Sequence, residues 1–259
     1  MTLDLVSLFQ PYALLFARFS SLLTTTIGFG DQQIPSRFRL LFAMALALIL
    51  KEYVSVLPIQ KGSDSFFALL VLQEIVIGVA IGLLGRLIIA VLDILGNIIS
   101  LQIGLGNAVM FNPSVGSQAP ITSTLFILSG TFIFFVMDLH HVIIQSLVSS
   151  YKIFPLDGTL QNFSKIKDIN TFFINFMNQG ILIATQLALP FLILGVVFQF
   201  MLGLLNRLVP SLQIFFVMLP AQIILGILLI VITITGIFNL FYQDFFSLYQ
   251  SFPGFKEAP

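Results

Sequence analysis

Hydrophobic positions run along this chain in about six long stretches separated by short polar breaks. The first extends from about Leu5 to Phe29 and encloses Arg18. The second runs to Leu57 but is interrupted by Lys51-Glu52, which leaves it short for a membrane span. The third begins at Phe66 and holds Glu74, Arg86 and Asp93. It continues through Gly104 and Gly106 towards Asn112-Pro113 and Pro120. The fourth covers 121–149 and contains Asp138, His140 and His141. The last two, 169–206 and 208–243, carry no charge, and Arg207 alone separates them. A bilayer core needs only about 20 apolar residues per helix, so each of these two runs exceeds one simple span. Pro190, Pro210 and Pro220 are expected to interrupt them, and interrupted helices need protein neighbours for the freed backbone groups. The pattern therefore predicts an all-α membrane protein with broken helices.

Composition narrows the picture further. The 259 residues have a mean hydropathy of +1.07 and only 8% charged side chains, which leaves no room for a separate soluble domain. Zero net charge argues against a nucleic-acid surface. With no cysteine there is no disulfide or thiol chemistry. The start, Met-Thr-Leu-Asp, carries no basic leader and is expected to begin a retained first helix. The sequence offers no nucleophile–base–acid set, phosphate loop or paired carboxylates, so no enzyme activity and no cofactor are expected.

What it does offer is polar stripes on apolar helices. Glu74, Gly78, Gly82 and Arg86 are spaced four apart, with the two glycines in a small-xxx-small pattern that lets backbones approach closely. Each step of four drifts by about 40°, so Glu74 and Arg86 do not meet and need partners on other helices or chains. Asp93, Asn97, Ser100, Gly104 and Asn107 form a second stripe, expected to face a lumen, a subunit or a neighbouring helix. Gly195, Gln199, Gly203 and Arg207 form a third. Gly203-Leu-Leu-Asn-Arg207-Leu also echoes Gly82-Leu-Leu-Gly-Arg86-Leu. Arg18 has no acid within a turn and must meet a partner or snorkel. His140 and His141 project about 100° apart on an ideal helix and are not expected to chelate a metal together. The segment Gly106–Pro120 is uncharged yet rich in helix breakers. Such backbone at membrane depth must be buried in protein or line a cavity, so Asn107, Met110, Phe111, Asn112 and Pro113 are pore or plug candidates. A packed turn is the alternative.

Further marks recur in order along nearly the whole length. They are Arg18; Pro35-Ser36-Arg37; Glu74 with Gly78 and Gly82; Leu101-Gln102-Ile103-Gly104-Leu105; Asn112-Pro113; His140; and Ser149-Ser150-Tyr151 with Pro155. Pro190 comes next, then Leu202-Gly203-Leu204-Leu205-Asn206-Arg207-Leu208-Val209-Pro210, Ile214-Phe215 and Pro220. In these the chain resembles the FliR/SctT family of type III secretion export-gate proteins. It departs from the family at Asn112, where aspartate is usual, at Leu139, where glycine is usual, and at Ser211, where glutamine is usual.

The resemblance implies a structural channel subunit that assembles with FliP, FliQ and FlhB homologues and passes unfolded flagellar proteins. It implies a FliP-like part (1–171) followed by a FliQ-like helical hairpin (172–259). It places the chain in the bacterial inner membrane at the flagellar basal body, with the assembled helices raised towards the periplasm. Arg18, Glu74, Gly78, Gly82, Arg86, Asp93, Asn97, Gln199, Gly203 and Arg207 are then candidates for subunit contacts. The equivalent subunit of a virulence secretion system is the nearest alternative, and a small secondary transporter is a more distant one.

Overall fold

The computed structural model describes residues 5–30, 34–51, 64–106, 120–154, 163–208 and 214–250. Among these, seven helices account for the regular structure: α1 (Leu5–Thr25), α2 (Ser36–Leu50), α3 (Asp64–Gln102), α4 (Ile121–Val136), α5 (Leu139–Ile153), α6 (Phe163–Leu208) and α7 (Ile214–Gln250). Each of the hydrophobic stretches corresponds to one helix, or in the fourth case to the pair α4 and α5. The predicted plug candidates Asn107, Met110, Phe111, Asn112 and Pro113 lie outside the described residues, as do Pro210 and Ser211.

Three helices carry apolar segments long enough to cross a membrane: Phe66–Gln102, Phe173–Leu208 and Met218–Gln243. At about 1.5 Å per residue these reach roughly 55, 54 and 39 Å, against a hydrocarbon core of about 30 Å. Even a tilt of about 40°, the upper end of the common range, leaves the first two some 10 Å too long. Two of the three prolines, Pro190 and Pro220, do not end these helices as the sequence suggested. Pro190 lies inside α6 and Pro220 inside α7. A proline removes one ladder hydrogen bond and crowds one carbonyl, a local loss that a long apolar helix survives. Residues 209–213, between α6 and α7 and including Pro210, lie outside the described residues.

A break separates α4 from α5, whose axes differ by 69°. Asp138 makes the turn with φ 55°, in the left-handed region that aspartate tolerates better than most side chains. This accounts for Leu139: the residue with positive φ is its neighbour, so no glycine is needed there.

The chain divides into two compact units. Unit 1 comprises Met1–Leu87, Ile133–Phe176 and Leu248–Pro259. Its buried core includes Leu14, Leu15, Phe19, Leu22, Ile81 and Ile143. α2 meets α1 through the narrow Ala43/Ala47 edge, while Phe38, Leu41, Leu48 and Ile49 stay exposed. At the end of α1, hydroxyls fold back on the backbone: Ser21 donates to the Arg18 carbonyl, Thr25 to Ser21 and Thr26 to Leu22. This lets a Ser/Thr-rich turn remain helical in apolar surroundings. Unit 2 comprises Ile88–Phe132 and Met177–Ser247, with Leu92, Leu95, Ile99, Ile103, Phe126 and Phe191 at its core.

Candidate functional site: a buried arginine cage and uncovered polar stripes

Arg18 is fully buried, the largest such side chain among the described residues. Its Nε and Nη2 donate to Glu74 Oε2 and Oε1 at 2.5 and 2.8 Å, a bidentate fork joining α1 to α3. Nη1 donates to Ser150 Oγ at 3.0 Å, and Nη2 donates also to the Phe154 carbonyl at 3.2 Å. The guanidinium lies 3.8 Å from the centre of the Tyr151 ring. One face of the planar cation and most of its N–H groups are thereby occupied, so an ion pair survives among apolar helices. Removing one partner of such a pair costs about 3–5 kcal/mol, because the other is left buried and bare.

The close approach that permits this fork comes from Gly78 and Gly82. A Cβ on Gly78 would collide with Ser21 Oγ and the Arg18 carbonyl, and one on Gly82 with Thr25 Oγ1 and, at 2.8 Å, the Leu22 carbonyl. Backbone carbonyls cannot move aside, so α3 lies against α1 only with glycine at both places. Arg18, Glu74, Gly78 and Gly82 were expected at a subunit contact; they lie instead inside unit 1, where the ion pair and the glycine contacts need each other. Sequence reasoning left Ser150 and Tyr151 without a role. Their position at the polar end of an apolar stretch is the available signal.

In unit 2 Asp93 and Asn97 of the second stripe also find their neighbours within the chain. Asn97 Nδ2 donates to Asp93 Oδ1 at 2.8 Å, and Ser123 Oγ of α4 donates to the same oxygen. Thr122 Oγ1 donates to the Gly96 carbonyl at 2.9 Å. Asp93 and Asn97 are half-buried, and this part of the stripe serves helix packing. The end of α3 is held similarly. Gln222 Nε2 of α7 donates to the Gln102 carbonyl at 2.6 Å, and Gly195 of α6 leaves room for the Gln102 side chain. Gly104 then turns the chain with φ 85°. Gln222 is a residue the sequence reading missed; as a lone glutamine in an apolar run it had to find a partner.

The remaining candidates stay uncovered. Arg86, Gln199, Gly203 and Arg207 are all exposed. Nothing lies within 4 Å of a Cβ built on Gly203. Among the described residues neither Arg86 nor Arg207 has a hydrogen-bond or ion-pair partner. An arginine at the centre of a membrane helix costs about 2.5–3.5 kcal/mol on insertion scales, so Arg86, deep in its apolar segment, is not satisfied by hydrocarbon, while Arg207 stands one residue from the end of α6.

Asp138, His140 and His141 do converge, contrary to the ideal-helix argument. The left-handed turn at Asp138 brings its Oδ1 within 3.9 Å of His140 Nε2 and 3.6 Å of His141 Nδ1, and the two imidazoles lie 4.2 Å apart. A metal held through His140 Nε2 would force the proton onto Nδ1, which is buried with no hydrogen-bond partner. The three side chains therefore do not fit a metal well, and they read as a polar cluster at the bend.

Comparison with known proteins agrees with this architecture. Residues 9–248 match the family described as bacterial export proteins, family 1. The flagellar biosynthetic protein FliR of Caulobacter vibrioides is 36% identical over 233 residues, covering 88% of this chain and 91% of that protein. FliR of Aquifex aeolicus is 29% identical over 240 residues, covering 92% and 91%. The Yop proteins translocation protein T of Yersinia pestis is 30% identical over 188 residues, covering 73% and 71%. A match of this length, on a membrane-embedded chain of long apolar helices, shows that the chain belongs to the FliR family of bacterial export proteins, a component of the type III export apparatus.

Proposed function

We propose that this chain is a structural subunit of the flagellar type III export channel, assembled with FliP, FliQ and FlhB homologues in the bacterial inner membrane at the flagellar basal body. Unfolded flagellar proteins are its cargo. The observation that carries this reading is the length of the apolar helices combined with their uncovered faces. The apolar segments of α3 and α6 exceed the bilayer core by about 25 Å. Large apolar side chains such as Ile193, Val196, Phe200, Val231 and Ile232 point outward. Whatever projects beyond lipid has to be covered by other protein helices, and Gln199, Gly203 and Arg207 mark one such face. In this reading residues 1–171 play the FliP-like part and 172–259 the FliQ-like hairpin. The similarity to the Yersinia protein supports the same role in a virulence system as the second reading.

Asn107, Met110, Phe111, Asn112 and Pro113 are assigned to the plug, where bulky apolar side chains exclude water from the closed pore. The test has two arms. Tagged chain purified from native membranes should bring FliP and FliQ with it, whereas a monodisperse monomer that binds a small solute would favour a transporter. In the assembled complex, Met110→Ala with Phe111→Ala should leave subunit composition unchanged and make membranes leaky to small solutes. Wild-type tightness would remove the plug role.

A further inference from the structure

Arg86 stands within the apolar segment Phe66–Gln102, about 30 Å from one end and about 24 Å from the other. It shares one face of α3 with Leu72, Ile75, Val76 and Leu83, all exposed. Asp93, one heptad further on, falls near the same face but is half-buried and already engaged with Asn97 and Ser123. The two acids of α3 inside its apolar segment are already engaged: Glu74 holds Arg18, and Asp93 holds Asn97 and Ser123. A second copy of this chain would bring Glu74 and Asp93 in the same engagements, and its Asp138 stands at the α4–α5 bend beside His140 and His141.

We propose that Arg86 is the socket for an aspartate or glutamate on a membrane helix of a different subunit of the export apparatus, which lies along the Leu72–Arg86 face of α3. The inference rests on the reading of this chain as a channel subunit. Two placements of α3 lead to the same partner. If Arg86 lies within hydrocarbon, it needs a counter-charge to stay there. If it lies at the lipid boundary, sixteen or more apolar residues of α3 project beyond lipid. Leu72, Ile75 and Val76 on one side, or Ile94 and Leu101 on the other, then need protein cover. Charge complementarity selects an acidic helix for that cover, and the planar guanidinium favours a bidentate carboxylate.

The decisive experiment keeps Arg86 in place. A photoreactive phenylalanine at Leu83 in the full chain, within its native apparatus, should crosslink to another membrane subunit within one helical turn of an Asp or Glu. Crosslinks confined to lipid or to a second copy of this chain, or reaching a segment without an acid, would overturn the proposal. The genetic arm adds sign. Arg86→Glu should lower export at least 100-fold, and changing the crosslinked acid to Lys or Arg should restore it. Arg86→Lys should retain much of the export. Wild-type export by Arg86→Glu would sink the socket while leaving the channel reading intact. The channel reading itself falls only if deleting the whole chain leaves export unimpaired.

Discussion

Gly82-Leu-Leu-Gly-Arg86-Leu and Gly203-Leu-Leu-Asn-Arg207-Leu are nearly the same hexapeptide, and both lie within long apolar helices. Their surroundings are opposite. Gly82 is pressed onto Thr25 and Leu22 of α1, while Gly203 faces open space. One turn away from Gly82, the Gly78 contact closes over the buried Arg18–Glu74 fork. Around Gly203 the neighbours Gln199, Asn206 and Arg207 are exposed. A small-residue motif thus records that some backbone comes close, but not whether that backbone belongs to the same chain. In the first copy the partner is internal. In the second, on our reading, it arrives with assembly.

The comparison can be broken most forcefully at the ion pair that backs the first copy. Glu74→Leu strips Arg18 of its carboxylate, and we expect a loss of about 3–5 kcal/mol. It should appear as near-absence of the chain from membranes, by immunoblot, even with partner subunits co-expressed. Unchanged abundance would mean that the fork is dispensable. Next in size is the glycine contrast. Gly82→Ala forces a Cβ against a backbone carbonyl and should destabilise by about 1–3 kcal/mol, whereas Gly203→Ala should be neutral or gain up to about 1 kcal/mol from helix propensity. Thermal unfolding of the detergent-purified chain without its partner subunits gives both values. Equal penalties would abolish the distinction drawn here.

The smallest effect on the chain's own fold is expected at Arg207. Arg207→Leu should leave chain abundance within a factor of two yet reduce recovery of the complete complex about tenfold. Arg207→Lys should recover part of it, since lysine keeps the charge but not the planar fork. Normal assembly of the leucine variant would show that the second motif needs no outside partner.

Much of this was legible from residues alone. The apolar stretches located the helices because burying backbone hydrogen bonds in lipid leaves few other solutions. The stripes at Glu74–Arg86 and Asp93–Asn97 were legible as sites needing partners, because an unmet polar group is costly in apolar surroundings. The ordered marks from Arg18 to Pro220 sufficed to suggest the family. Periodicity is a property of one helix, however, and it says nothing about which helix stands opposite. Only the tertiary structure decided that Arg18 and Glu74, 56 positions apart, take each other. It decided also that Ser123 meets Asp93, that Gln222 holds the end of α3, and that a positive φ at Asp138 gathers two histidines an ideal helix would splay. It placed Pro190 and Pro220 within helices, where neighbouring turns absorb the lost hydrogen bond. A sequence states locally what must be satisfied; the fold, by bringing distant segments within hydrogen-bond reach, determines which of those demands are met within the chain and which are left for other subunits.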